Sequence, residues 1–149
     1  MTRVFNTEFE TSLKILLLLF AVEPESLTID RIIYYDFIST YGHSFGVCDI
    51  NLNGENSYRY EEIGARRIRA KQAIKTLVLD KMIVVNKTPD GFHYKIPPVG
   101  ISIAKTLTSD YAKKYTETVK ETHNRYHAIS DIELVSEINR KSVQLIRGE

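Results

Sequence analysis

A helix-like pattern that runs directly into a strand-like pattern is the feature that most restricts the fold of this chain. Residues 64–85, GARRIRAKQAIKTLVLDKMIVV, place apolar side chains at three- and four-residue steps and end in a β-branched run. A second strand-like run follows the turn sequence TPDG. The sequence therefore predicts a helix followed at once by a β-hairpin, with strands near residues 83–87 and 92–96.

Two further helices are predicted before this unit. The first carries the apolar run that ends at Val22, with Thr7 or Asn6 as its N-cap and Pro24 beyond its end. The second follows Thr28 and is predicted to end with Gly42 in the left-handed conformation. Three helices and then a two-stranded hairpin is the order of a winged helix-turn-helix.

The remaining sequence predicts additional helices. Apolar residues recur at helical spacing from Ile103 to Tyr126, and a last helix is predicted to begin at Asp131. The predicted fold is therefore mainly α with a small β-hairpin (α+β). Residues 1–100 form a winged-helix-like core, and residues 101–149 form a C-terminal helical extension packed on the core or on a partner.

Composition and the apolar run from Ile15 to Val22 restrict the location and the partners of the chain. This run is too short to cross a hydrocarbon core, which needs about 20 residues, so no membrane span is expected. The formal charge of +1 argues against a polyanion binder that uses its whole surface. The single cysteine, Cys48, excludes an intrachain disulfide and, with the lack of a secretory signal, fits the cytoplasm.

The third helix allows two interpretations of its basic residues. Its predicted buried stripe leaves Arg69, Gln72 and Lys75 facing outward, where they are candidate DNA contacts together with Lys87 in the hairpin. So few positive contacts predict weak or indirect DNA binding. In the alternative, Arg66 and Arg67 pair with acidic groups such as Glu61 and Glu62 or with a neighbouring element, and Ile68 contacts a protein.

No set of residues indicates an enzyme, a metal site or a cofactor. His123 and His127 are four residues apart on a helix but lack a third ligand, and they are expected to be two half-exposed helix histidines. The glycines of residues 42–58 do not have the spacing of a phosphate-binding loop. We therefore expect no catalytic residue, no metal ligand and no cofactor.

The C-terminal helices carry the candidate protein interface. Tyrosine combines apolar area with a hydrogen-bonding tip, and the last helix spreads its apolar residues too widely for one buried stripe, so it is expected to be covered on two sides. Its partner is expected to be another protein or a second copy of the chain, as a homodimer. The candidate interface residues are Tyr111, Tyr115, Leu134, Leu145 and, on the third helix, Ile68.

Nearly the whole chain resembles the small middle component of the prokaryotic ABC-three-component systems, the group that includes Lamassu-type defence. The stretches that carry the resemblance are VFNTEFETSLKILLLL, LTIDRIIYYDFISTYGHSFG, LNGENSYRYEEIGARRI, LVLDKMIVV, SDYAKKY and INRKSVQLIRG. The resemblance implies a non-enzymatic accessory subunit that acts with an SMC-like ABC ATPase and an effector, such as a nuclease, against phage or plasmids.

The sequence is also compatible with a second function, that of a transcriptional regulator. The order of the predicted elements also fits a winged-helix transcriptional regulator that binds DNA and dimerises through its C-terminal helices. The near-neutral charge and the divided arginines of the third helix favour the accessory subunit instead.

Overall fold

A computed structural model describes residues 7–52 and 62–147 of the chain. The described residues are mainly helical and contain one β-hairpin, as predicted. The elements are α1 (Glu8–Ala21), α2 (Ile29–Thr40), α3 (Gly42–Phe45), α4 (Glu62–Leu79), β1 (Val84–Thr88), β2 (Gly91–Lys95), α5 (Pro98–Lys105), α6 (Asp110–Tyr126) and α7 (Asp131–Arg147).

The helix starts follow local capping signals. The hydroxyl oxygens of Thr7 and Thr28 each accept a hydrogen bond of 3.1 Å from a backbone N–H in the first turn of α1 and α2, and Ser109 does the same for α6. Thr7 is thus the cap of α1, and the alternative cap, Asn6, lies outside the described residues.

The prediction for Gly42 is wrong. Gly42 begins the short helix α3, and the left-handed residue is Gly46, with φ of 73°. Gly42 is instead required by close contact, because a Cβ at this position would lie 2.6 Å from the Cβ of Cys48. A sequence pattern does not reveal such a contact between two segments.

Helix α1 lies at the centre of the core. It contacts α2, α4, α5 and α6, and the side chains of Leu18 and Leu19 are fully buried. This confirms that the apolar run of α1 is part of a core helix. Helix α6 also packs against α1 and α2, so the C-terminal extension covers the core. No described helix is both long enough and apolar enough to cross a membrane.

The hairpin is tied to the helical body through one backbone pair. Strands β1 and β2 are antiparallel, with Val85 opposite Tyr94. Tyr94 also exchanges two backbone hydrogen bonds with Leu27, which lies between α1 and α2, at N···O distances of 2.8 and 2.9 Å. The predicted strands are confirmed to within one residue at each end.

Candidate functional site

The first two arginines of α4 face α2. The guanidinium of Arg66 pairs with Asp36, and that of Arg67 pairs with Asp30, each at 2.5 Å. Both carboxylates belong to α2, which confirms the interpretation in which these arginines pair with a neighbouring element. Their charges therefore connect α4 to α2, and the side chain of Arg67 remains 32% exposed.

Asp36 is the centre of a buried ionic cluster. Its carboxylate lies 3.0 Å from the ammonium of Lys14 on α1 and accepts a hydrogen bond of 2.6 Å from the hydroxyl of Tyr115 on α6. Burial alone would raise the pKa of Asp36, but Lys14, Arg66 and the Tyr115 hydroxyl outweigh burial and hold that pKa far below its usual range. The cluster connects four helices and is structural.

The four candidate DNA contacts do not have similar surroundings. Gln72 and Lys75 are exposed on α4, and Lys87 is exposed on β1 with its ammonium 5.9 Å from the centre of the Phe92 ring. Arg69 was expected to project into solvent, but it is only partly exposed and lines a small cavity with Lys14 and Asp36. The expected orientation of Arg69 is therefore wrong, because α1 packs along this side of α4.

Two of the candidate interface residues are core residues. The side chains of Tyr115 and Leu134 are fully buried among the described residues, so neither is available to a partner. The interface prediction is wrong for both because the Tyr115 hydroxyl donates to Asp36 on α2 and Leu134 belongs to the hydrophobic core. The side chain of Leu145 lies outside the described part of the structure.

Tyr111 lies beside a groove between α1 and the segment that joins α5 to α6. The groove has a volume of about 520 Å³, and its lining is mixed: Leu13, Leu17, Leu107 and Tyr111 on the apolar side, with Glu10, Lys14 and Ser109 among the polar residues. The Tyr111 ring stacks on Tyr115 with centroids 6.2 Å apart, and burial raises the pKa of its hydroxyl. The groove is therefore a concave surface that combines apolar and polar side chains.

Helix α7 has apolar residues on two faces, as its sequence predicts. Leu134 and Ile138 are fully buried, whereas Ile132 is 80% exposed and Val143 is 38% exposed on another side of the helix. Ile68 on α4 is 64% exposed. On α7 the sequence analysis predicts Leu134 and Leu145 as interface residues, whereas the large apolar side chain that the structure exposes most on this helix is Ile132.

Sequence reasoning missed a polar cleft around His123. The Nδ1 atom of His123 lies 2.8 Å from the hydroxyl of Tyr35, and its Nε2 atom lies 2.6 Å from the carboxylate of Glu25. Both histidines are predicted to be half-exposed, but His127 is exposed and the side chain of His123 is only 13% exposed. Among the described residues, no group of three or more potential ligands is arranged to hold a metal ion. The cluster joins α2, α6 and the loop after α1, so no sequence spacing indicates it.

Comparison with known proteins provides the family. A model of the ABC-three component (ABC-3C) system Middle Component 2 matches residues 4–147, which include all described helices and both strands. Neither the curated proteins nor the solved structures provide a match. The matched region includes the core helices, the hairpin and the exposed face of α7. The chain therefore belongs to the Middle Component 2 family of ABC-three component systems.

Proposed function

We propose that this protein is a non-enzymatic accessory subunit that bridges an SMC-like ABC ATPase and an effector protein in a cytoplasmic, Lamassu-type defence system. Membership of the Middle Component 2 family carries the proposal, because a middle component acts as one part of a multi-component system. The partners' identities and the defence role are part of the proposal.

The distribution of apolar side chains supports a role in assembly. Ile132 on α7 and Ile68 on α4 are large, strongly exposed and not needed by the core. Apolar residues of this kind in the centre of an interface contribute to binding when water is excluded from them. The groove beside Tyr111 offers a third contact region, of concave shape. Several separate contact regions suit a subunit that holds more than one partner.

The same proposal includes a winged-helix-like core that does not itself read DNA. The pairing of Leu27 with Tyr94 adds a third short segment to the hairpin, an arrangement expected of a winged helix. In the proposal, DNA contacts come chiefly from the ATPase. The pairing of Arg66 and Arg67 with α2 supports this, because it leaves α4 with fewer cations for phosphate groups.

Co-expression with an SMC-like ABC ATPase of the proposed system tests the proposal. The tagged ATPase should capture the unaltered chain, and capture should fall at least tenfold for Ile132→Glu and for Ile68→Glu. Lys120→Glu, at an exposed polar position of α6, is the matched control and should leave capture unchanged. Circular dichroism should show that all three variants are folded. Failure of the ATPase to capture the unaltered chain, or equal capture of all variants, would contradict the proposal.

A further inference from the structure

The outer edge of β1 presents backbone groups that no described residue binds. The N–H and C=O groups of Tyr94 bond to Leu27, so they point away from β1. In an antiparallel ladder, two residues that face each other either both bond across the ladder or both point outward. Val85 lies opposite Tyr94, and Lys87 follows two residues later, so the N–H and C=O groups of both point away from β2.

This edge lacks several of the features that usually protect an edge strand, although β1 is short and carries one lysine. Its five pairs with β2 run without a bulge, and no proline interrupts β1. Val84 and Val85 lie on opposite faces of the ribbon and are 39% and 43% exposed. The one charged side chain of β1, Lys87, extends toward the ring of Phe92 on β2. An extended segment therefore has access to the free backbone groups.

We propose that β1 pairs with β1 of a second copy of this chain, antiparallel and about a twofold axis through Asn86. In this register, Val85 of each copy faces Lys87 of the other. Each such pair exchanges two N–H···O bonds, so the contact contains four backbone hydrogen bonds. Val84 faces Thr88, and the two Asn86 side chains lie side by side at the axis. The two hairpins become one four-stranded sheet.

The residues of β1 favour this register over the two nearest alternatives. An axis through Lys87 would place two ammonium groups opposite each other and would set Val85 against Pro89, which has no N–H to donate. An axis through Val85 would require Ile83 to pair with Lys87, but Ile83 is buried and lies before the strand. Of the three registers, only the one about Asn86 pairs all the outward-facing N–H and C=O groups of β1 and avoids like charges. Strand β1 is therefore complementary to itself, and this is why we choose a second copy as its partner.

The contact is small, and this sets its expected strength. Two five-residue strands bury less than the roughly 1,000 Å² typical of a stable interface, so the isolated dimer should form only at micromolar or higher concentration. This inference does not depend on the identity of the ATPase or the effector. In an assembled complex, weak pairing would still bring two copies together, because the partners raise their local concentration.

Cysteine cross-linking of the full chain tests the inference. In a Cys48→Ser background, Asn86→Cys should form a disulfide-linked dimer under mild oxidation, because residues that face each other without hydrogen bonds have Cα atoms about 4.5 Å apart. Lys95→Cys, on β2 and away from the axis, is the matched control. The Asn86→Cys protein should cross-link at least tenfold faster than the control.

A proline variant tests whether the cross-linking requires strand pairing or arises from random collisions between molecules. Lys87→Pro removes an N–H that points away from β2, so the hairpin should remain folded while pairing between copies is blocked. Added to Asn86→Cys, it should reduce the cross-linking rate to that of the Lys95→Cys control. Three results would each overturn the inference: no cross-linking of Asn86→Cys, equal rates for Asn86→Cys and Lys95→Cys, or cross-linking that is insensitive to Lys87→Pro.

Discussion

Asp36 on α2 and Tyr115 on α6 are joined by a hydrogen bond of 2.6 Å between the tyrosine hydroxyl and the carboxylate. The same carboxylate pairs with Lys14 on α1 and Arg66 on α4. Four helices thus meet at one acidic side chain. Tyr115 therefore lies in the core, whereas Tyr111, one turn earlier on α6, lines a surface groove.

Replacing Asp36 with asparagine should destabilise the protein strongly. The side chains of Lys14 and Arg66 are 12% and 8% exposed, so the change leaves two mostly buried cations without their carboxylate. Breaking such a cluster costs about 3 to 5 kcal/mol of unfolding free energy. Urea denaturation measures the effect. The control is Asp30→Asn, which breaks the more exposed pair with Arg67 and should cost less than about 1 kcal/mol. Similar losses for both variants would contradict this account.

The stability of the unaltered protein should fall in acid through Asp36. Its folded-state pKa is depressed, so its contribution is complete above the unfolded pKa of about 3.9 and is lost as the pH falls toward the folded value. The urea midpoint should therefore decrease steadily from about pH 5 downward. Asp36→Asn should show a shallower decrease over this range, whereas Asp30→Asn should retain most of it. A parallel pH profile for Asp36→Asn would show that other carboxylates are responsible.

The fold could be predicted from the sequence where the signals are local. The caps Thr7 and Thr28, the TPDG turn and the spacing of apolar residues correctly indicated the helices and the hairpin. Periodicity also showed that α7 has two apolar faces. It did not show which face is buried, because a helix with two apolar faces carries no local information about the direction of its neighbours. Leu134 was placed at the interface and lies in the core for this reason.

The ionic and polar clusters could not be predicted. Arg66 pairs with Asp36, which is 30 residues earlier in the chain, and His123 contacts Glu25, which is 98 residues earlier. Charged residues are common on helices, so many pairs of this kind are compatible with one sequence. Only the relative positions of α2, α4 and α6 select the pairs that form.

Replacing Arg31 with lysine should loosen the attachment of α7. The guanidinium of Arg31 bonds to Asp131 at the start of α7 and to the carbonyl oxygens of Tyr126 and Ile129 in the preceding turn, at 2.6 to 2.9 Å. A lysine ammonium cannot reach all three partners, so we expect a loss of about 2 kcal/mol. Hydrogen exchange should become faster in α7 while α1 is less affected. Arg140→Lys, which alters a surface pair with Glu137, should leave exchange unchanged.

The two faces of α7 should respond differently to truncation. Leu134→Ala removes a fully buried side chain and should lower the unfolding free energy by about 2 to 5 kcal/mol. Ile132→Ala, two residues earlier, removes a side chain that is 80% exposed and should change it by less than about 0.5 kcal/mol. Thermal or urea unfolding of the isolated protein distinguishes the two. A large loss for Ile132→Ala would mean that this face already packs within the chain and is not available to a partner.

Replacing Lys81 with glycine should stabilise the turn that directs α4 into β1. Lys81 has φ of 62°, and the N–H of the next residue, Met82, bonds to the carbonyl oxygen of Leu77 to close the helix. A side chain in this left-handed conformation costs about 1 to 2 kcal/mol, and the greater flexibility of glycine in the unfolded state offsets part of the relief. We expect a net gain of about 0.5 to 1 kcal/mol in unfolding free energy. Lys81→Ala retains a Cβ at the same φ and should give no gain. Equal stability of the glycine and alanine variants would show that a Cβ at this φ causes no measurable strain.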